Sequence, residues 1–194
     1  MGTIKTTNIE PIADNGTVTL GSSGDTFTVP SGVTVNMSSA TQTGVGGDLT
    51  PAFQVTKSSA QNVSHATWTK VTWDTETYDT DSAFASDKFT VPSGEGGKYQ
   101  FSWHLQVGRG TDSDMYRIYS AIYKNGSQAN LINLNLAGTD GRILNAGAVQ
   151  VLDLAASDYI EIYVNTASSS TNSIDVAGGS TETSFFGGFK ILGA

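Results

Sequence analysis

The chain has 194 residues, of which 38% are hydrophobic, only 14% are charged and 22 are glycine. That length suits one solid domain with an appendage or two small domains, and an apolar set rich in Val, Ile, Tyr and Phe favours strands and turns over helices. A formal net charge of −8 with no basic cluster argues against nucleic-acid partners, and the absence of cysteine excludes disulfides and thiolate metal sites.

The N-terminus has no apolar core of signal-peptide length. No stretch approaches the ~18 apolar residues that cross a bilayer, so the sequence predicts no membrane insertion and a soluble product made in a cytoplasm. Residues 1–47 contain a single aromatic, Phe27. Their apolar residues fall in short alternations: Val18 and Leu20, Phe27 and Val29, then Val33, Val35 and Met37. Strands so short bury little by themselves, so this β-rich segment is expected to anchor the chain to a neighbour. The run TQTGVGGD that follows reads as a flexible linker.

From Asp48 the aromatics accumulate, and the main core is expected in residues 48–194. Residues 52–56 and 68–74 are predicted strands. In residues 98–107, Tyr99, Phe101, Trp103, Leu105 and Val107 alternate with Gln100, Ser102, His104 and Gln106, the pattern of a half-buried antiparallel strand. Residues 115–124 form a predicted strand that runs into Asn125-Gly126, a strong hairpin signal. Residues 131–136, the best helical candidate, are short and read equally well as an alternating strand. Residues 148–154, 158–166 and 184–192 complete the set, with Ala-Ala-Ser-Asp as a turn at 155–158. About eight strands separated by turn signals imply an all-β fold, an antiparallel sandwich or jelly roll.

The hexapeptide FTVPSG occurs at 27–32 and again at 89–94. The flanks differ, which argues against a duplicated module. The shared residues carry local physics instead. Phe and Val alternate, Pro ends the pairing because it lacks an N–H, and Ser-Gly turns the chain.

The order of motifs resembles a known family. Phe89-Thr-Val-Pro92 followed by Gly97-Lys-Tyr99-Gln-Phe101 resembles the signature of the globular head of complement component one, subcomponent q, which shares the tumour-necrosis-factor-like jelly roll. Ser184-Phe-Phe-Gly-Gly-Phe189 resembles that family's closing strand. Ala52-Phe-Gln-Val, Tyr123-Lys-Asn-Gly126 and Asp158-Tyr-Ile-Glu-Ile fall in the matching order. The resemblance spans residues 51–194. It departs from the family at Ser157, where the family has glycine, and in lacking a collagen-like stalk. It implies a ten-stranded jelly roll that assembles as a homotrimer, and Tyr159, Tyr163, Phe185 and Phe189 are candidates for inter-subunit packing. The N-terminal GSSGDT and PSG segments resemble those of structural proteins of marine bacteriophages.

Residues able to do chemistry are sparse. His65 lies in a polar stretch and His104 on the polar face of a strand, and the two lack ligand spacing, so no metal site is expected. The carboxylates Asp74, Glu76, Asp79, Asp81 and Asp87 form the densest acidic run. Loop carboxylates suit calcium, and some heads of the resembling family bind it, yet the spacing fits no EF-hand and solvated loops are the simpler reading. No nucleophile motif or paired carboxylates stand out, so neither catalytic residues nor cofactors are expected. The loop GRGTDSDMY offers Arg109, Asp112, Asp114 and Tyr116 as ligand candidates, since loops at sandwich ends often carry binding.

Together these features point to a bacteriophage virion structural protein, a trimeric short fibre or capsid decoration protein. Residues 1–47 would attach it to a capsid or tail protein. The head would face outward, where host surface polysaccharide or a receptor is a possible partner. The alternative is a soluble carbohydrate-binding or adhesive module of cellular origin. A polysaccharide-degrading spike would need a carboxylate pair that the sequence does not single out.

Overall fold

The computed structural model describes residues 19, 21–35, 49–108, 112–137, 140–179 and 184–191. The chain divides into two units, Met1–Val45 and Gly46–Ala194. In the first unit the described residues form turns and no strand. Ser22 N–H donates to the Asp25 carboxylate at 2.6 Å, and Asp25 N–H returns to the Ser22 carbonyl at 3.0 Å. Phe27 and Val33, expected in short strands, are 70% and 58% exposed. Without a ladder partner an extended segment leaves its backbone to water. Val18, Leu20, Met37 and the linker lie outside the described residues.

The two FTVPSG copies make the same turn in unlike settings. Val33 N–H donates to the Pro30 carbonyl at 3.3 Å and Glu95 N–H to the Pro92 carbonyl at 3.1 Å. Gly32 and Gly94 both adopt φ +84°. Yet Phe27 is largely exposed while Phe89 is fully buried. The shared residues encode the turn, and the surroundings decide what the Phe does.

The described residues of the second unit hold thirteen strands. They are β1 (Ala52–Thr56), β2 (Gln61–Val63), β3 (Thr69–Lys70), β4 (Thr75–Asp79), β5 (Phe84–Ala85), β6 (Lys88–Thr90), β7 (Gly97–Gly108), β8 (Met115–Lys124), β9 (Ser127–Asn135), β10 (Ile143–Leu154), β11 (Tyr159–Ser168), β12 (Ile174–Val176) and β13 (Phe185–Lys190). One sheet of seven runs β2-β12-β7-β13-β1-β4, with β10 along the other edge of β7; a second of six runs β5-β6-β11-β8-β9, with β3 beside β11. All the pairings are antiparallel. The all-β sandwich expected from the sequence is the fold observed.

The alternation of β7 organises the core. Tyr99, Phe101, Trp103, Leu105 and Val107 are buried to 2% exposure or less. Facing them from the six-stranded sheet are Ile118 and Ile122 of β8 and Ile160, Ile162 and Val164 of β11, all fully buried. Phe53 of β1 stacks on Phe84 at 5.1 Å and on Phe89 at 5.0 Å, and meets Phe186 edge-on at 4.9 Å. Phe53 and Phe186 belong to one sheet and Phe84 and Phe89 to the other, so these rings bind the sheets together. Each buried Phe is worth roughly 2–3 kcal/mol and each ring pair about 1 kcal/mol more. The Trp103 indole N–H donates to the Ser120 hydroxyl at 3.1 Å across the interior, which satisfies both polar groups where water is excluded.

Among the expected strands, those at 68–74 and 148–154 differ most from expectation. Residues 68–74 form a ladder only at Thr69–Lys70. Beyond it, Thr72 N–H donates to the Gln61 side-chain oxygen at 2.8 Å and Trp73 N–H to the Asp87 carboxylate at 2.7 Å. Side chains take the backbone donors that a sheet neighbour would use. The strand expected at 148–154 begins at Ile143, because its full length pairs with β7 from Gly97 to Gly108.

The turn between β10 and β11 is tied to the β8–β9 hairpin. The Asp158 carboxylate accepts from Ala155 N–H at 2.8 Å, the Asn125 amide at 2.7 Å and the Lys124 ammonium at 2.8 Å. Asn125 also accepts from Tyr159 N–H through its side-chain oxygen at 2.9 Å. The hydrogen bonds from Lys124, then Asn125 and Ala155, hold the Asp158 carboxyl down at about 2. An acid with a depressed folded pKa adds stability above its unfolded value and loses it as pH falls through the folded one. Asp158→Ala should therefore cost about 1 kcal/mol at neutral pH, discounted for solvent screening, and the gap should close between about pH 4 and pH 2, read by urea unfolding at each pH. Beside it, Ser157 occupies φ +72°, the left-handed region that glycine enters without strain. Ser157→Gly should raise stability by about 0.5 kcal/mol, with a higher urea midpoint at unchanged slope.

Candidate functional site

Outward-facing residues give the head two unlike surfaces. The outer face of the seven-stranded sheet forms rungs across β13, β7 and β10. Phe185 lies opposite His104 and Gly147 follows on the far side; Gly187, Ser102 and Val149 make the next rung; Phe189, Gln100 and Val151 the third. Val149 is 63% exposed, Val151 46% and Ile143 50%. The His104 ring lies over Phe185 at 6.0 Å. A shallow depression of about 330 Å³ opens between His104, Gly147, Val149 and Phe185. A Cβ on Gly147 would stand 2.3 Å from the Trp103 carbonyl oxygen, so only glycine fits this close backbone approach. This surface is aliphatic and uncharged at its centre.

The outer face of the six-stranded sheet is aromatic. Register places Tyr123 opposite Glu161, Ala121 opposite Tyr163, and Tyr119 opposite Asn165. Trp68, just before β3, lies 6.4 Å from Tyr119 and 6.2 Å from Tyr123, and Tyr123 lies 4.2 Å from Tyr163. Four rings therefore form one contiguous cluster. Its charged side chains make their contacts within the face. Lys70 meets Glu161 at 2.9 Å. Arg117 covers the Tyr119 ring at 4.7 Å and donates to the Asn165 side-chain oxygen at 2.7 Å. At the far end Lys88 sits over Tyr159 at 4.7 Å. Burial, then the Glu161 carboxylate, pushes the Tyr163 hydroxyl above its ordinary range.

The four packing candidates thus divide between two faces. Phe185 and Phe189 lie half-buried on the aliphatic face; Tyr159 and Tyr163 lie half-buried on the aromatic one. The ligand-loop candidates do not gather either. Arg109 lies outside the described residues. Asp112 is exposed, whereas Tyr116 belongs to β8 and its carbonyl accepts from Leu136 N–H at 2.7 Å. Asp114 ties this end of the sandwich together: its carboxylate accepts from the Ser170 hydroxyl and its carbonyl from Ser169 N–H at 2.8 Å.

Much of the acidic run serves the backbone. Asp74 accepts from Ser58 N–H at 2.5 Å and from the Ser59 hydroxyl at 2.5 Å. Burial raises its pKa, but the serine hydrogen bonds more than offset this and hold it well below the usual range. Asp79 accepts from the N–H groups of Ala83 and Phe84 at 3.0 and 2.8 Å. Lys57, 1% exposed, points its ammonium at the Thr72 carbonyl at 2.7 Å. Desolvation lowers its pKa, against the pull of Asp74 and Asp87. An internal lysine thus stands on the cationic side of this cluster. His65 accepts from Ser168 N–H at 3.2 Å through Nδ1. Among the described residues no three His, Cys, Asp or Glu side chains gather as metal ligands.

Sequence reasoning overlooked Trp68, Tyr119 and Tyr123 as members of a surface. The available signal was the outward set Arg117, Tyr119 and Tyr123, with the small Ala121 covered between them, opposite the inward Ile118, Ser120 and Ile122.

No protein-family model matches the sequence, and no curated protein matches it. Solved structures do. Murine APRIL superposes with a TM-score of 0.53 at 11% identity, over 72% of this chain and 98% of that one. The globular domain of zebrafish complement 1qA aligns at 18% identity over 73% of this chain and 98% of that one, with a TM-score of 0.49. The described strands of the second unit share the jelly-roll fold of murine APRIL, the fold class expected from the sequence.

Proposed function

We propose that this chain is a non-enzymatic structural protein of a bacteriophage particle, a trimeric short fibre or capsid decoration protein whose head faces outward. The observation that carries this reading is the aliphatic outer face of the seven-stranded sheet. Ile143, Val149 and Val151 stand 46–63% exposed beside the half-buried rings of Phe185 and Phe189. Exposed apolar surface on this scale is expected to be covered by another protein surface. A second and third copy of the head, arranged around a three-fold axis as the family resemblance implies, would cover it. Branched aliphatics and glycine suit such close packing between sheets.

The first unit supports attachment to a particle. Phe27, Val29, Val33 and Val35 are exposed, and the surface of a partner protein would bury them. The resemblance of the same segment to structural proteins of marine bacteriophages supports a capsid or tail protein as that neighbour. Density-gradient-purified particles from cells producing the phage that encodes this chain should contain it, in a copy number that is a multiple of three. Recovery of the chain solely from the soluble fraction would contradict the reading.

A further inference from the structure

We propose that the outer face of the six-stranded sheet is a binding platform for a neutral polysaccharide. The ring cluster Tyr119, Trp68, Tyr123 and Tyr163 is continuous, with neighbouring centroids 4.2–6.4 Å apart. Trp68 is its most open member at 36% exposure. Flat rings offer the stacking surface that the C–H faces of a sugar ring match, while the sugar's hydroxyls need polar groups at the edges. Those groups are present. Asn133 lies opposite Tyr119 on β9 and Asn135 opposite Arg117, both exposed.

Charge decides the class of ligand. Lys70 is neutralised by Glu161, and Arg117 is held by the Tyr119 ring and Asn165. The ring cluster itself is uncharged, its one guanidinium being taken up by a ring and a neutral amide, and the chain as a whole carries −8, which repels uronic-acid, sialic-acid and phosphate polymers. A protein partner fits less well. The exposed branched aliphatics that mark the opposite face are missing here, where Leu131 is half-buried beside Ala121. Aromatic rings with amide edges match a ligand made of hydroxyls and C–H faces. The inference goes beyond the virion reading and stands without it, because its test needs only purified protein and free glycans.

The test is affinity electrophoresis of the full chain through gels containing unbranched or branched neutral polysaccharides (glucans, mannans and galactans) and, in parallel, acidic ones. Tryptophan emission supplies a second readout, since Trp103 and Trp73 are 2% and 9% exposed and Trp68 dominates any response to a surface ligand. At least one neutral polysaccharide should retard the protein and shift its emission. Trp68→Ala should weaken that retardation by about tenfold or more while Trp68→Phe retains most of it, both with unchanged unfolding midpoints. Asn133→Ala, at an exposed edge, serves as an independent variant and should also weaken binding. No retardation by any neutral polysaccharide, retardation by acidic ones alone, or retardation unaffected by Trp68→Ala overturns the proposal. A change in solution mass on Trp68→Ala would also overturn it, by making the face an interface between copies.

Discussion

One strand sets the geometry of the head. β7 pairs with β10 along one edge and with β12 and β13 along the other, and its side chains alternate between five buried apolar residues and four polar ones. Because the period of a strand is two, the side that enters the core and the side that faces out are fixed together, and a one-residue slip would exchange them. The inward set meets the branched aliphatics of β8 and β11. The Phe53, Phe84, Phe89 and Phe186 rings close the sandwich nearby.

That constraint also separates the two outer surfaces. Every residue of β8 and β11 that does not face β7 belongs to the aromatic side, and every residue of β10 and β13 that does not face the core belongs to the aliphatic side. The first combines rings, amides and charged side chains, a surface at ease in water that retains flat apolar area. The second exposes Val149 and Val151 around Gly147, a surface whose apolar area is stabilised by cover. The division of labour proposed for the head, self-association through one sheet and ligand contact through the other, follows from this difference in side-chain chemistry.

The sequence made the fold legible where local physics is strong. The alternation in β7, the Asn125-Gly126 hairpin and the Pro-Ser-Gly turn were readable because each depends on near neighbours in the chain. Asn125 sits at φ +52° and Gly126 at +76°, as such a hairpin requires. The path of residues 71–74 was not legible, since its backbone donors are taken by Gln61 and Asp87, partners that only the folded chain brings near. The early start of β10 was hidden for a similar reason. Ile143 to Gly147 has little alternation of its own, and pairing with β7 imposes the strand. The aromatic platform joins Trp68 to tyrosines more than fifty residues away, so its composition was visible and its assembly was not. The four packing candidates rest on the resemblance and on aromatics in alternating strands, and neither says which sheet a side chain leaves from.

If the aliphatic face meets other copies of the chain, the assembly is open to light scattering on the full-length protein. The expected solution mass is three times the 20.3 kDa chain, lost on placing a charge at Val149 with Val149→Asp. A monomer for the natural sequence, or a trimer indifferent to Val149→Asp, would contradict it.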